Sequence, residues 1–445
     1  RIKIKRMKQD LPLIIVFRAL GVISDKDIIE KIVQNLNDPF SIKVLEMLKP
    51  SLEEASMINK QITALEFLSK NLSGVNTSKG SEEVKLKYTY DLLIRELLPH
   101  LGDSPTSKAY FMGVMVKRLF ESYFGVKKYD DRDSFLNKRV ETSGELMAQL
   151  FRNLFTKFVK DLKMGLQKDS ARIDKLGESL SKRFKTNDIE GGMKYALGTG
   201  SWGLKNQSEL KKGIAQVLPI LNHLNTMSTL RRVIAPIGRT GKQTAPRKLH
   251  NTQYGVICPF ETPEGGSVGI VKNMALTTHI TIETDPTSIY DFCNEYGVVS
   301  LEDINPMDIV HSVKVFINGN WIGQSFTPND LVHKLRVLKR SGVIDIYTSI
   351  SWNINDKEIK VWSDSGRLCR PLYIVENNKL KINDELIDEI KEKGLSFKDL
   401  LIRDLESSEI TDEKAIIEYV DIEEINTLMI AMTKESIDQN KRENE

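Results

Sequence analysis

Between Glu141 and Met164 apolar residues return with a helical period. Leu146, Leu150, Leu154, Phe158 and Leu162 recur every four positions, and Met147, Phe151, Phe155 and Val159 stand beside them. Strand faces alternate with period two, so this pattern predicts a helix over 141–164 whose broad stripe belongs to a core. Helical spacing also runs through 24–72 and 85–124, the second stretch broken at Pro99 and Gly102. A polar loop at 73–81 separates them. Residues 1–22 read as a strand or buried segment ending at Gly21. The alternation Arg1-Ile2-Lys3-Ile4-Lys5, with no initiating Met, reads as a strand cut open and the chain as an internal piece of a longer one.

The pattern changes past residue 165. Residues 165–192 are polar and end in Gly191-Gly192, and 198–270 is rich in Gly, Pro and Arg without strong periodicity. Alternating β-type sequence follows, with Asn318-Gly319 between two apolar runs as a two-residue hairpin turn. From about 384 onward the chain is acidic and reads as mostly helical. Helices first and strands later, over 445 residues, predict an α+β protein of several modules. Hydrophobic residues at 40% and charged residues at 28% describe a globular rather than a disordered chain. No apolar run is long enough to span a bilayer, so no membrane role is expected. Cys258, Cys293 and Cys369 stand far apart and lack metal-ligand spacing; with no secretory signal, they point to a reducing, intracellular compartment.

The net charge of +3 conceals a sharp segregation. The 51 residues between Glu209 and Glu261 contain no Asp or Glu, but hold Lys211, Lys212, Arg231, Arg232, Arg239, Lys242, Arg247 and Lys248. Residues 384–445 carry 19 acidic and 8 basic side chains, a net of −11. Solvated surfaces normally mix both signs. A phosphate backbone is the commonest reason to exclude carboxylates; the alternative is that these cations satisfy carboxylates elsewhere in the fold or on a partner. The cations lie on Gly/Pro-rich turns with few aromatics, which favours backbone tracking over base stacking.

Other motifs carry less. Gly198-Thr199-Gly200-Ser201-Trp202-Gly203 matches a dinucleotide fingerprint, but no acidic residue follows at the required distance and no βαβ pattern surrounds it. Gly238 to Lys242 is too short for a phosphate loop, and Gln243 stands where Ser or Thr should meet magnesium. Asp130-Asp131-Arg132-Asp133 includes a cation that would repel a metal, so capping or salt bridging is the better reading. His223 and His250 have no nucleophile or acidic orienter nearby. Glu261 and Glu264 could serve a hydrolase, although Pro259 and Pro263 instead describe a rigid turn.

From Lys194 to Leu276 the chain contains, in order, KYALGTGSWG, GIAQVL, STLRR, PIGRTGK, PRKLHNTQYGVICPFETPEG and VGIVKN. This ordered set resembles the fork region of the second-largest subunit of multisubunit DNA-directed RNA polymerases, in the eukaryotic, archaeal and large-DNA-virus form. LPLIIVFRALG and MLKPSLEEA resemble its lobe, DDRDSFLNKRVETSGELMAQLF the return into the protrusion, and FINGNWIG, SGRLCRPLYIVE and YVDIEEINTLMIAM its external regions. The resemblance implies a lobe-like region over 1–140, protrusion over 141–201, fork over 202–281, external regions over 282–369 and 370–432, and a truncated end over 433–445.

It also implies roles. Residues 202–212 would form a first fork loop near the hybrid, and 238–244 a second one where DNA strands separate. Lys205, Lys211, Lys212, Gln216, Arg231, Arg232, Arg239 and Lys242 would face nucleic acid, while Arg247 and Glu264 would pair near the active centre. Lys211 stands where the family usually has arginine, the first fork loop is one residue short, and the STLRR segment lacks two residues commonly present just before its arginines. These departures and the Lys/Ile-rich composition lean towards a viral source; the expected location is the nucleus, or a cytoplasmic viral factory or virion for a large DNA virus. No catalytic residue or metal ligand is expected in this stretch. Magnesium would be held in the assembled enzyme and zinc in a C-terminal part not present here. The expected partners are the largest and smaller polymerase subunits, the DNA template and the RNA–DNA hybrid. The competing readings are a stand-alone nucleic-acid-binding module and a hydrolase using Glu261 and Glu264.

Overall fold

The computed structural model describes residues 1–34, 38–72, 82–169, 187–203, 211–237, 243–304, 308–402 and 415–444. The chain forms two units: Arg1–Leu136 with Thr281–Ser365 and Cys369–Glu445, and Asn137–Ile280 with Gly366–Leu368.

The first unit begins with α1 (Leu13–Ala19), α2 (Asp25–Val33), α3 (Pro39–Glu54), α4 (Gln61–Lys70), α5 (Glu82–Glu96) and α6 (Pro105–Tyr123). Local chemistry sets their starts. Asp38 accepts from the Phe40 N–H ahead of Pro39, and Ser104 accepts from the Ser107 N–H ahead of Pro105, each a side-chain cap followed by a residue whose missing N–H costs nothing there. Leu11, Ile14, Ile15, Phe17, Ile28, Ile32, Val44, Leu48, Ala64, Leu68, Leu93 and Met112 form one core. The stretch 1–22 is not a strand. Only the isolated bridges Ile2–Leu11 and Met7–Leu72 are strand-like, and α1 follows Pro12. Ile14 to Ala19 are all buried, and burial on every face erases the periodicity that separates helix from strand. The break at Pro99 and Gly102 falls as expected, at the 3₁₀ turn Pro99–Leu101.

Two cations are built into this core. The Arg18 guanidinium donates to the carbonyls of Ala55 and Ile58 at 2.5 Å each and meets Asp25 at 2.6 Å. Lys108, with no solvent exposure, donates to the carbonyls of Ile94 and Leu97 at 2.6 Å and of Leu98 at 3.2 Å. It thereby satisfies carbonyls that the end of α5 leaves without helical partners. Asp131 closes a local turn by accepting from the Asp133 N–H at 2.9 Å.

The second unit contains α7 (Ser143–Asp169), α8 (Asn187–Thr199), α9 (His223–Leu230), the antiparallel pair β1 (Arg232–Ile234) and β2 (Val271–Asn273), and β3 (His279–Ile280). The predicted helix forms, but its stripe is core on one flank. Leu150 and Leu154 pack with Ala196 and Trp202, and the Trp202 indole donates to the Leu146 carbonyl at 2.8 Å. Phe151, Phe155 and Val159 are exposed, because at about 100° per residue they lie round the helix from the flank that carries Leu150 and Leu154. The glycine-rich motif closes α8. Gly200 has φ +69°, and a Cβ there would sit 2.6 Å from the Ala215 carbonyl oxygen.

The chain returns to the first unit with α10 (Thr287–Glu295), β4 (Val299–Ser300), β5 (Val313–Ile317), β6 (Asn320–Ser325), α11 (Pro328–Arg340), β7 (Ser349–Asn353) and β8 (Glu358–Trp362). The sheet order is β4-β6-β5-β8-β7, with β5 and β8 parallel and the other neighbours antiparallel. Asn318 and Gly319 both have positive φ, 48° and 77°, as a type I′ hairpin turn requires. β9 (Leu368–Tyr373), β10 (Val375–Glu376) and β11 (Lys379–Leu380) precede α12 (Asp384–Lys393), α13 (Phe397–Leu401), β12 (Ile417–Asp421), α14 (Ile422–Thr427) and α15 (Lys434–Asn444). The acidic end is mostly helical as read. Its strand β12 was not anticipated, because what makes it a strand is antiparallel pairing with β9.

Candidate nucleic-acid interface

The carboxylate-free window lies in the second unit. Lys205, Arg239 and Lys242 lie outside the described residues, as does the Gly238 to Lys242 loop. Of the remaining cations, the sequence makes Arg231, Arg232 and Arg247 look alike and the fold makes them different.

Arg231 caps the end of α9, and its Nη2 donates to the carbonyl oxygens of Ala275 at 2.5 Å and Leu276 at 3.2 Å. Arg247 ends a 3₁₀ turn, and its Nη1 donates to the carbonyls of Gly266 at 2.8 Å and Val268 at 2.9 Å. Gly269 (φ +69°) follows, and a Cβ there would collide with the Arg247 carbonyl oxygen. Arg247 therefore ties its own turn to 265–269. Glu264 is exposed and forms no ion pair with a described residue. The expected Arg247–Glu264 bridge is not formed, because the turn at Gly265 (φ +75°) presents main-chain carbonyls to the guanidinium instead.

Arg232 behaves otherwise. It is the first residue of β1 and pairs across the ladder with Asn273. Its guanidinium makes no hydrogen bond or ion pair to a described residue, and its Nε is buried without a partner. Its ladder partner Asn273 is a buried amide whose Oδ1 is unpaired. The Asn273 amide nitrogen is spent on the Glu261 carbonyl at 3.1 Å. A half-buried guanidinium with unspent donors, fixed at its base by a strand, is suited to an anionic oxygen from outside the chain. Asn273 was missed in the sequence, since nothing in local spacing links it to Arg232.

The other cations are peripheral. Lys211 bridges Trp202 and is ion-paired with Glu141 at 2.5 Å. Lys212 is exposed and unpaired among the described residues. Gln216 is exposed and donates to the Gly213 carbonyl at 3.1 Å. Glu261 accepts the Ser228 hydroxyl, and both Glu261 and Glu264 are exposed, which denies a hydrolase the desolvated acid it would need. No group of three or more His, Cys, Asp or Glu side chains able to hold a metal occurs among the described residues, and none of those residues forms a helix long and apolar enough to cross a membrane.

Family models for RNA polymerase Rpb2 match along the chain in order: domain 2 over residues 1–141, domain 3 over 216–280, domain 4 over 315–376 and domain 5 over 408–445. The chain belongs to the family of second-largest RNA polymerase subunits. It is 39% identical over 432 residues to DNA-directed RNA polymerase II subunit 2 of Arabidopsis thaliana, covering 96% of this chain and 35% of that protein. It is 38% identical over 450 residues to subunit RPB2 of Schizosaccharomyces pombe, covering 98% of this chain and 36% of that one. To subunit Rpo2 of Sulfolobus acidocaldarius it is 32% identical over 442 residues, covering 96% and 37%. The chain thus spans about a third of the length of these relatives. The domain 3 match includes Gln216, Arg231, Arg232, Arg247 and Glu264.

Proposed function

We propose that this chain is the part of a DNA-directed RNA polymerase second subunit that guides nucleic acid near the active centre and helps separate its strands. The unspent Arg232 guanidinium in a 51-residue carboxylate-free window carries the reading. A cation with no internal partner, held on a paired strand, contributes phosphate affinity without sequence preference. Lys205, Lys211, Lys212, Gln216, Arg239 and Lys242 would extend the same surface. Arg231 and Arg247 support it from behind by tying its turns together, and Glu264 faces outward beside Arg247. The region boundaries at 140, 201, 281, 369 and 432 belong to the same proposal.

The whole enzyme would join ribonucleotides on a DNA template with magnesium, in company with the largest and smaller subunits, and would work in the nucleus, a reading supported by relatives named as RNA polymerase II subunits. In this reading the magnesium is held elsewhere in the assembled enzyme and this chain supplies no ligand to it. Its contribution is to position phosphates and to keep competing carboxylates away.

The test is a salt titration of nucleic-acid affinity in the assembled enzyme. Arg232→Ala should reduce the slope of log affinity against log salt by about one, with unchanged melting. An unchanged slope would overturn the assignment.

A further inference from the structure

Arg232 and Asn273 stand opposite each other in the β1–β2 ladder. The Asn273 carbonyl accepts from the Cys258 N–H at 2.9 Å, on the side away from β1. The two residues are therefore a non-hydrogen-bonded pair, the kind in which antiparallel neighbours come closest and their side chains share one face. Each side chain has a buried atom without a partner among the described residues. Nε of Arg232 is a donor, and Oδ1 of Asn273 is an acceptor.

The Asn273 amide has a fixed orientation. It is 3% exposed, and its Nδ2 donates to the Glu261 carbonyl at 3.1 Å. A carbonyl only accepts, so the amide cannot turn over, and Oδ1 is committed to the other side. Buried polar atoms are rarely left unpaired. Here the donor and the acceptor that lack partners belong to directly opposed residues.

We propose that Asn273 is the positioning residue for Arg232. When a phosphate of the nucleic acid meets the guanidinium, Nε–H turns onto Asn273 Oδ1, and both Nη groups are directed at the phosphate oxygens. The guanidinium is rigid and planar, so one hydrogen bond at Nε sets the direction of its remaining donors. The two contacts support each other, because linked hydrogen bonds polarise one another and each holds the side chain in the orientation that the other needs.

The residue type fits this task. An amide supplies an acceptor without a charge, so Arg232 keeps its positive charge for phosphate. An aspartate would make a stronger bond and cancel that charge. No Asp or Glu occurs between Gly265 and Ile282, so β2 excludes carboxylates as β1 does. A role confined to holding the turn at Glu261 uses Nδ2 alone and gives Oδ1 no function.

The inference rests on the phosphate reading of Arg232 and is tested in the purified assembled enzyme. Affinity for a DNA–RNA scaffold of fixed sequence is titrated against salt, beside a thermal melt. Asn273→Leu should weaken binding about tenfold and leave the salt slope unchanged, since Arg232 keeps its charge. In an Arg232→Ala background the same substitution should change affinity by no more than about twofold. An equal loss with and without Arg232 would overturn the proposal, because Asn273 would then act independently of the guanidinium. Asn273→Asp is a second variant of nearly the same shape. It should reduce the salt slope by about one, as Arg232→Ala does, because the guanidinium is then neutralised from within; an unchanged slope would overturn the proposal. If Arg232→Ala itself leaves the slope unchanged, the phosphate reading fails. If it changes the slope while the Asn273 effects persist without Arg232, the positioning role alone fails.

Discussion

The ammonium of Lys339 lies 3.2 Å from the carboxylate of Glu424, and both side chains are sealed from solvent. The pair joins α11 to the start of α14. Lys339 also reaches Glu418 at 3.2 Å and the Tyr419 carbonyl at 2.8 Å. Glu424 accepts from the N–H groups of Ile350 at 2.8 Å and Asp421 at 3.3 Å. Burial pushes Glu424 up to about 7 against the pull of Lys339. Burial also works against the Lys339 ammonium, but Glu424 and Glu418 hold its pKa above the ordinary lysine value.

Removing the lysine leaves the buried Glu424 carboxylate without a cation, while Glu418 keeps Arg340 at 3.0 Å. Lys339→Met should cost about 3–5 kcal/mol in urea unfolding. The cost should be larger at pH 8 than at pH 5, because without the lysine the Glu424 pKa rises further, so the variant keeps losing stability above about 7, where the wild type has already ionised this carboxyl. Equal costs at the two pH values would remove Glu424 from the explanation.

Glu424 alone predicts a slope. Its folded pKa is raised from 4.5 to about 7, so its contribution to stability is complete below 4.5 and is lost as pH rises through 7. Glu424→Gln, which resembles the protonated form, should flatten the stability–pH curve across that window. A variant with the wild-type slope there would assign the titration to another group.

Arg247 and Gly269 should share a phenotype. Arg247→Ala removes two hydrogen bonds from a charged donor and should cost about 1–3 kcal/mol. Gly269→Ala combines a strained φ, worth about 1–3 kcal/mol, with a collision against the Arg247 carbonyl. Both should lower the melting temperature and leave the salt slope of nucleic-acid binding intact. A changed slope for Arg247→Ala would give it a phosphate contact after all.

Lys108→Met should destabilise the first unit by on the order of 3 kcal/mol, since carbonyls at the end of α5 lose their donor where water does not reach. Hydrogen exchange should localise the loss to Leu93–Leu98. Uniform loss of protection would mean that Lys108 acts through general packing.

Much was legible before any coordinates. The helix at 143–169, the hairpin at Asn318-Gly319 and the break at Pro99 depend on periods and φ preferences a few residues long. The carboxylate-free window and the ordered fork motifs, which pointed to the candidate site and to the family, are likewise linear properties of the chain. Tertiary structure alone decided the rest. Arg231, Arg232 and Arg247 carry the same guanidinium, and what separates them is the position of carbonyls at 266, 268, 275 and 276, which β1–β2 pairing and the turn at Gly265 bring into reach. The helix at Leu13–Ala19 left no periodic trace because Ile14 to Ala19 are buried on every face, and the apolar stripes of α7 and α9 end half-covered or uncovered. Periodicity reports that a face is apolar; which neighbour covers it depends on contacts between segments distant in the chain.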